Sequence, residues 1–171
     1  MVDAIVRTHT ACLHRFYCTD PDAVRAMLPP DVLASGHVRV DRKSHEDLLL
    51  CYRECHYGFL LRADSIVNRV ACPTKVVEYL AMGIVPIVDS EQVGDFQGLG
   101  IRWVALADFL AGRLPDEATR DAMARDNFVV HGRLSGQRAA GAAQLRRLFG
   151  PGPRPGSLVS RLLWQVGKRL P

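Results

Sequence analysis

The sequence shows no long apolar run, and its first residues do not resemble a secretory leader. A membrane-spanning helix needs about 20 consecutive apolar residues, and no segment reaches that length. The opening segment Met1–Ile5 lacks the basic stretch and following apolar core of a signal peptide, so we expect a cytoplasmic protein. With 171 residues, of which 48% are hydrophobic, the chain is expected to fold around one core.

Acidic residues are missing from residues 127–171, and this absence explains the basic net charge. That segment carries eight basic residues, whereas residues 1–126 carry 14 basic and all 18 acidic residues. The net charge of +4 therefore comes from the C-terminal quarter of the chain. Because the rest of the chain is mildly acidic, we expect no nucleic-acid partner.

The sequence lacks the cysteine pattern of a disulfide framework or a structural zinc site. Its five cysteines are an odd number, and the spacings C-x5-C and C-x3-C-H differ from a zinc knuckle. We expect reduced cysteines and no bound metal. The weaker alternative is a metal site that combines Cys12, His14, Cys18, Cys51, Cys55 and His56.

Several catalytic motifs are also absent. There is no P-loop and no G-x-G-x-x-G, and Gly94, Gly98 and Gly100 follow the wrong kind of element for a dinucleotide fingerprint. The six histidines show neither a Ser–His–Asp order nor a nucleophile elbow, which argues against a hydrolase.

Short apolar segments alternate with amphipathic ones and predict an α/β fold. This order is typical of right-handed βαβ units, so we expect a Rossmann-like parallel sheet with helices on both faces. Strands are predicted at 2–8, 14–18, 38–40, 57–61, 84–88 and 101–104. Helices are predicted at 19–28, 45–55, 73–83, 116–128, 135–149 and 157–170.

The C-terminal end is expected to be separate from this fold. We predict a Rossmann-like domain at 1–150, a Pro/Gly linker at 151–156 and a basic amphipathic helix at 157–171. Leu158, Leu162 and Val166 repeat at helical spacing, with Arg161 and Lys168 elsewhere around the helix. This pattern favours peripheral contact with an anionic membrane, and the alternative is a helix that packs back on the protein.

Basic and polar residues gather before and within the predicted helix at 73–83. Lys75 lies in its first turn, where unpaired backbone N–H groups and a partial positive charge suit phosphate. Glu78, one turn further, is able to accept hydrogen bonds from ribose hydroxyls. The alternative is that Lys75 and Glu78 form an ordinary surface ion pair. Such a pair stabilises a helix by about 0.2–0.5 kcal/mol.

Three segments together resemble one known family. His45–Leu48, Tyr57–Arg62 and Val67–Val88 are similar to the donor-binding, C-terminal half of GT-B glycosyltransferases of the family-4-like group. The resemblance covers residues 14–149 and is strongest over 56–96. Two positions depart from the family pattern, since Val70 replaces a second Glu and His56 replaces a usual Asp.

The resemblance implies a role for each matching residue. The helix start would face the donor diphosphate, Glu78 would bind the ribose, and the preceding polar residues would line the sugar-diphosphate side. The donor-binding residues implied in this way are Arg62, Asn68, Arg69, Pro73, Thr74, Lys75 and Glu78. Transfer in this family needs no bound metal as a rule, because helix ends and basic side chains offset the charge of the leaving group.

The resemblance also implies the reaction. A sugar would pass from a UDP- or GDP-linked donor to a saccharide or lipid-linked acceptor, as in polysaccharide biosynthesis, with no other cofactor. Because 171 residues are too few for an acceptor domain as well, we expect a donor-binding half. The alternative is a non-catalytic remnant, or a nucleotide-sugar-binding subunit that needs a separate acceptor-domain chain.

Overall fold

The chain divides into two compact units, Met1–His131 and Gly132–Pro171. A computed structural model describes residues 2–62, 65, 66, 68, 74–90 and 97–149. The predicted linker at 151–156 and the predicted helix at 157–171 lie outside the described residues.

The described residues form a mixed α/β structure in which strands and helices alternate. The elements are α1 Val2–Thr8, β1 His14–Tyr17, α2 Pro21–Ala26, α3 Pro30–Ala34, β2 Val38–Asp41, α4 His45–Tyr52, β3 Tyr57–Leu60, α5 Thr74–Ala81, β4 Val85–Val88, a 3-10 turn Gln97–Leu99, β5 Val104–Ala105, α6 Leu106–Leu110 and α7 Glu117–Phe149.

All strand pairings between the described strands are parallel. β1 pairs with β2, and β3, β4 and β5 follow one another in a second sheet. The α/β class with parallel, helix-flanked sheets is therefore confirmed, but the described strands form two sheets where one was expected. Helix α1 packs Ile5 into the core of the three-stranded sheet and Val6 into that of the two-stranded sheet. Side-chain packing on α1 thus connects the two cores.

The predicted strand at 2–8 is wrong, because this segment is helix α1. Val2, Ile5 and Val6 follow helical spacing, and Ile5 and Val6 are buried. Arg7 pairs with Asp3 one turn before it, at 2.7 Å between Nε and Oδ1. The apolar residues were too few for the two periodicities to be separated in so short a segment.

The predicted helices at 116–128 and 135–149 are a single helix, α7. Asp116 caps its start by accepting a hydrogen bond from the Thr119 backbone N–H at 2.8 Å. The glycines at 132 and 136 weaken a helix without ending it, and the next proline is at position 151. No helix among the described residues is both long and apolar enough to cross a membrane.

The elements around residues 44–88 follow the prediction closely. Ser44 caps α4 by accepting a hydrogen bond from the Asp47 backbone N–H at 3.1 Å. Gly83 takes a φ of 70° just after α5, as expected for the residue that ends a helix. The strand at 84–88 is confirmed as β4, in which all four residues are buried. Strand β5 is shorter and later than predicted, and α3 and α6 were not predicted.

Candidate functional site

The candidate site lies where strand β3 ends and helix α5 begins. Strands β3 and β4 are parallel, with Leu60 opposite Val88, and α5 lies between them in the chain and packs on both. A helix in this position runs back along the sheet, so it begins on the side where the strands end. Ligands of such sheets bind on this side, because unpaired N–H groups of the helix start point there.

Two residues that directly follow the strands meet at this edge. The backbone N–H of Arg62, beyond β3, donates to the Asp89 carboxylate beyond β4, at 3.3 Å. The Arg62 guanidinium also donates to the side-chain oxygen of Asn68 at 3.4 Å, and the Asn68 N–H donates to Ser65 Oγ at 3.2 Å. The structure therefore brings the predicted residues Arg62 and Asn68 together.

Lys75 and Glu78 form the second group of predicted residues. Lys75 Nζ lies 3.2 Å from Glu78 Oε2, with the two side chains 38% and 22% exposed. Lys75 also donates to the Tyr52 hydroxyl at 2.8 Å, and its Nζ lies 5.3 Å from the centre of the Tyr52 ring. The simple surface pair considered from the sequence is therefore an incomplete description, because a buried aromatic residue supports the cation.

The surroundings keep Lys75 charged. Burial lowers the pKa of the Lys75 ammonium, but its hydrogen bonds to Tyr52 and Glu78 outweigh burial and raise the pKa above its ordinary value. The helix start therefore carries a full positive charge at neutral pH. A carboxylate, Glu78, lies beside it one turn further along α5.

Of the three remaining predicted residues, the structure describes one. Thr74 is exposed as the first residue of α5, whereas Arg69 and Pro73 lie outside the described residues. No hydrogen bond or ion pair between described residues joins Arg62 to Lys75 or Glu78. The site thus has two polar groups at the same edge of the sheet.

The sequence interpretation missed the aromatic support beneath α5. Tyr52 and Tyr79 pack edge to face with their ring centres 5.6 Å apart, in a buried cluster with Ile84. Tyr79 donates a hydrogen bond to the Phe59 carbonyl at 3.3 Å, and burial raises its pKa well above the ordinary range. Tyr52 precedes Lys75 by 23 positions, so no local spacing could have indicated this contact.

Gly58 makes room for this packing. A Cβ atom at position 58 would lie 2.5 Å from the Tyr79 ring, closer than real side chains approach one another. Glycine at position 58 therefore allows the Tyr79 ring to approach β3 this closely. This glycine belongs to the Tyr57–Arg62 segment on which the family resemblance rests.

The alternative metal site does not form among the described residues, which contain no cluster of three or more potential metal ligands. His14 is buried, and its Nε2 donates to the His9 carbonyl at 3.1 Å. Cys55 donates its thiol hydrogen to the Cys51 carbonyl at 3.4 Å, and burial raises its pKa. Both side chains therefore have local structural partners.

A separate groove lies at the other end of α5. It has a volume of about 640 Å³ and is lined by Arg53, Met82, Gly83, Ala124, Phe128 and Val129. It borders the carboxyl end of α5, whereas Lys75 lies in the first turn of that helix. The groove and the polar site are therefore different surfaces.

The polar site combines a cation and a carboxylate within one helical turn at the start of α5. This combination can bind an anion and a neighbouring hydroxyl-bearing group at the same time. No protein-family model, curated protein or solved structure matches this chain significantly.

Proposed function

We propose that this chain is the nucleotide-sugar-binding half of a GT-B glycosyltransferase, with a Rossmann-like fold. One observation carries the proposal. Lys75 and Glu78 lie side by side in the first turns of α5, within the segment whose sequence resembles the donor site of that family.

Each part of this arrangement suits a part of a nucleotide diphosphate sugar. The first N–H groups of α5 and the Lys75 ammonium are the donors for the diphosphate. The Glu78 carboxylate is the acceptor for the ribose hydroxyls, and Arg62 with Asn68 lines the side of the sugar. When the sugar leaves, charge develops on the diphosphate, and the same cation and helix start stabilise it.

The complete reaction in this proposal transfers the sugar to a saccharide or lipid-linked acceptor. A separate acceptor-binding domain holds that acceptor opposite the donor site. The donor site itself needs no metal, because Lys75 and the helix start already supply positive charge where the leaving group develops its negative charge.

Calorimetry with UDP, GDP, their sugars and the free nucleosides tests the donor site. Lys75→Ala is expected to weaken diphosphate binding about 10–100-fold, the loss expected for one hydrogen bond to a charged group. The same change should leave nucleoside binding nearly unaltered, because a nucleoside has no phosphate. Glu78→Ala should weaken nucleosides and nucleotides alike.

Lys43→Ala is the matched control, since it removes the same charge from an exposed position before α4. It should leave every affinity unchanged. If the wild-type chain binds none of these ligands at millimolar concentration, the proposal is wrong. Equal affinities in wild type, Lys75→Ala and Glu78→Ala would instead support the surface-pair alternative.

A further inference from the structure

The Lys75 side chain is flexible in principle but held in place in this structure. An unrestrained lysine samples many rotamers and loses this conformational freedom when it binds a ligand. A lysine that already occupies its binding geometry loses less on binding, and the ligand gains affinity. What holds the ammonium therefore affects how well it binds an anion.

Two partners hold the Lys75 ammonium, and they differ in charge. Glu78 is a carboxylate that partly neutralises the cation at 3.2 Å. The Tyr52 hydroxyl is neutral, so at 2.8 Å it orients the ammonium and leaves its charge for a ligand. An ammonium has three N–H donors, and among the described residues these two partners use two of them.

Tyr52 is itself fixed in position. It is the last residue of α4 and only 7% exposed, and its ring packs against Tyr79 and Ile84. Its hydroxyl reaches out of this cluster to Lys75, whose ammonium lies 5.3 Å from the ring centre on the side of the hydroxyl. A rigid aromatic residue on one helix thus sets the position of a flexible cation on another.

We propose that Tyr52 is the positioning residue that holds the Lys75 ammonium ready for the phosphates of the nucleotide ligand. The inference rests on the proposed function for its ligand, but its first step, the hold of Tyr52 on Lys75, is measurable without any ligand. Tyr52 itself touches no substrate in this scheme and acts through Lys75.

Tyr52→Phe is the sharpest test, because it removes only the hydroxyl and keeps the ring packing on Tyr79. We expect the pKa of Lys75, followed by NMR of its side chain, to fall relative to wild type, since the hydrogen bond to Tyr52 helps to raise it. UDP affinity should fall about 3–10-fold, while uridine affinity stays the same. A purely structural role would change both affinities together.

Tyr57→Phe is the matched control, as it removes a hydroxyl from a half-buried tyrosine on β3. It should change neither the pKa of Lys75 nor UDP affinity. In a Lys75→Met chain, adding Tyr52→Phe should have no further effect on UDP binding, because Tyr52 acts through the ammonium.

The outcomes separate the two proposals. A wild-type chain that binds neither UDP nor GDP contradicts the proposed function and, with it, the ligand part of this inference. A Tyr52→Phe chain that keeps both the wild-type Lys75 pKa and the wild-type UDP affinity overturns the role of Tyr52 alone. If Tyr52→Phe does not fold, the wild-type chain decides, because a Lys75 side chain that is as mobile in NMR relaxation as the exposed Lys43 also overturns it.

Discussion

Helices α1 and α5 each carry an ion pair within the helix, and the two pairs differ in their surroundings. On α1, Arg7 pairs with Asp3 at 2.7 Å, with side chains 50% and 49% exposed. On α5, Lys75 pairs with Glu78 at the longer distance of 3.2 Å, with side chains 38% and 22% exposed. The pair with the shorter distance is the more exposed to solvent, so the distance alone does not show which pair is stronger.

The difference lies in what supports the cation. Among the described residues, the Arg7 guanidinium pairs with the exposed carboxylates of Asp3 and Asp31, where water and salt screen the attraction. Lys75 instead rests on Tyr52, a buried residue of another helix. A cation that a buried partner orients is suited to bind a ligand, whereas an exposed pair contributes little to stability.

The largest effect is expected beneath the α5 pair, at Gly58. Gly58→Ala would place a Cβ atom 2.5 Å from the buried Tyr79 ring, so the ring or the strand must move. We expect the free energy of unfolding to fall by about 1–3 kcal/mol, as in other overpacked cores. Urea unfolding followed by circular dichroism measures this loss.

Gly98→Ala is the control for that change, because a Cβ atom there has no neighbour within 4 Å and Gly98 has no positive φ. Its stability should stay within about 0.5 kcal/mol of wild type. Equal stability of Gly58→Ala and Gly98→Ala would mean that Tyr79 does not pack tightly on β3.

A smaller effect is expected at His14, a buried polar group in the region of the α1 pair. Burial lowers the pKa of His14 below its ordinary 6.5, although its hydrogen bond to the His9 carbonyl opposes this effect. The unfolded chain therefore takes up the proton more readily than the folded one. The contribution of neutral His14 to the free energy of unfolding is therefore complete above about pH 6.5. It is lost as the pH falls below that value.

The test compares thermal unfolding at about pH 7.5 and about pH 5.5 for wild type and His14→Gln. Glutamine keeps a donor for the His9 carbonyl and does not titrate, so the fall in Tm should be smaller in the variant. The exposed His45 serves as the control, and His45→Gln should keep the wild-type pH dependence. An unchanged pH dependence in His14→Gln would contradict the role of His14.

The smallest effect is expected at the exposed pair itself. Arg7→Ala removes both the contact to Asp3 and the contact to Asp31, yet all three side chains are well solvated. Its Tm should match that of wild type within experimental error. A clear loss of stability that salt abolishes would show that the α1 pair is stronger than its exposure indicates.

The sequence predicted the region around α5 well because its signals are local. The apolar strand before the helix, the glycine after it and the spacing of Val76 and Leu80 all act within a few residues. Segment 2–8 was assigned the wrong periodicity, since three apolar residues fit either a strand or a helix. The support of Lys75 by Tyr52 depends on tertiary packing and has no local signal.

In the proposed function, the start of α5 binds the phosphates of a nucleotide. This is tested by titrating the full chain with UDP and, separately, with GDP, while the backbone N–H signals are followed in two-dimensional NMR. We predict that the signals of Thr74, Lys75 and Val76 shift first and saturate together. Shifts confined to the groove around Met82 and Phe128, or no shifts with either nucleotide at millimolar concentration, would contradict the proposal.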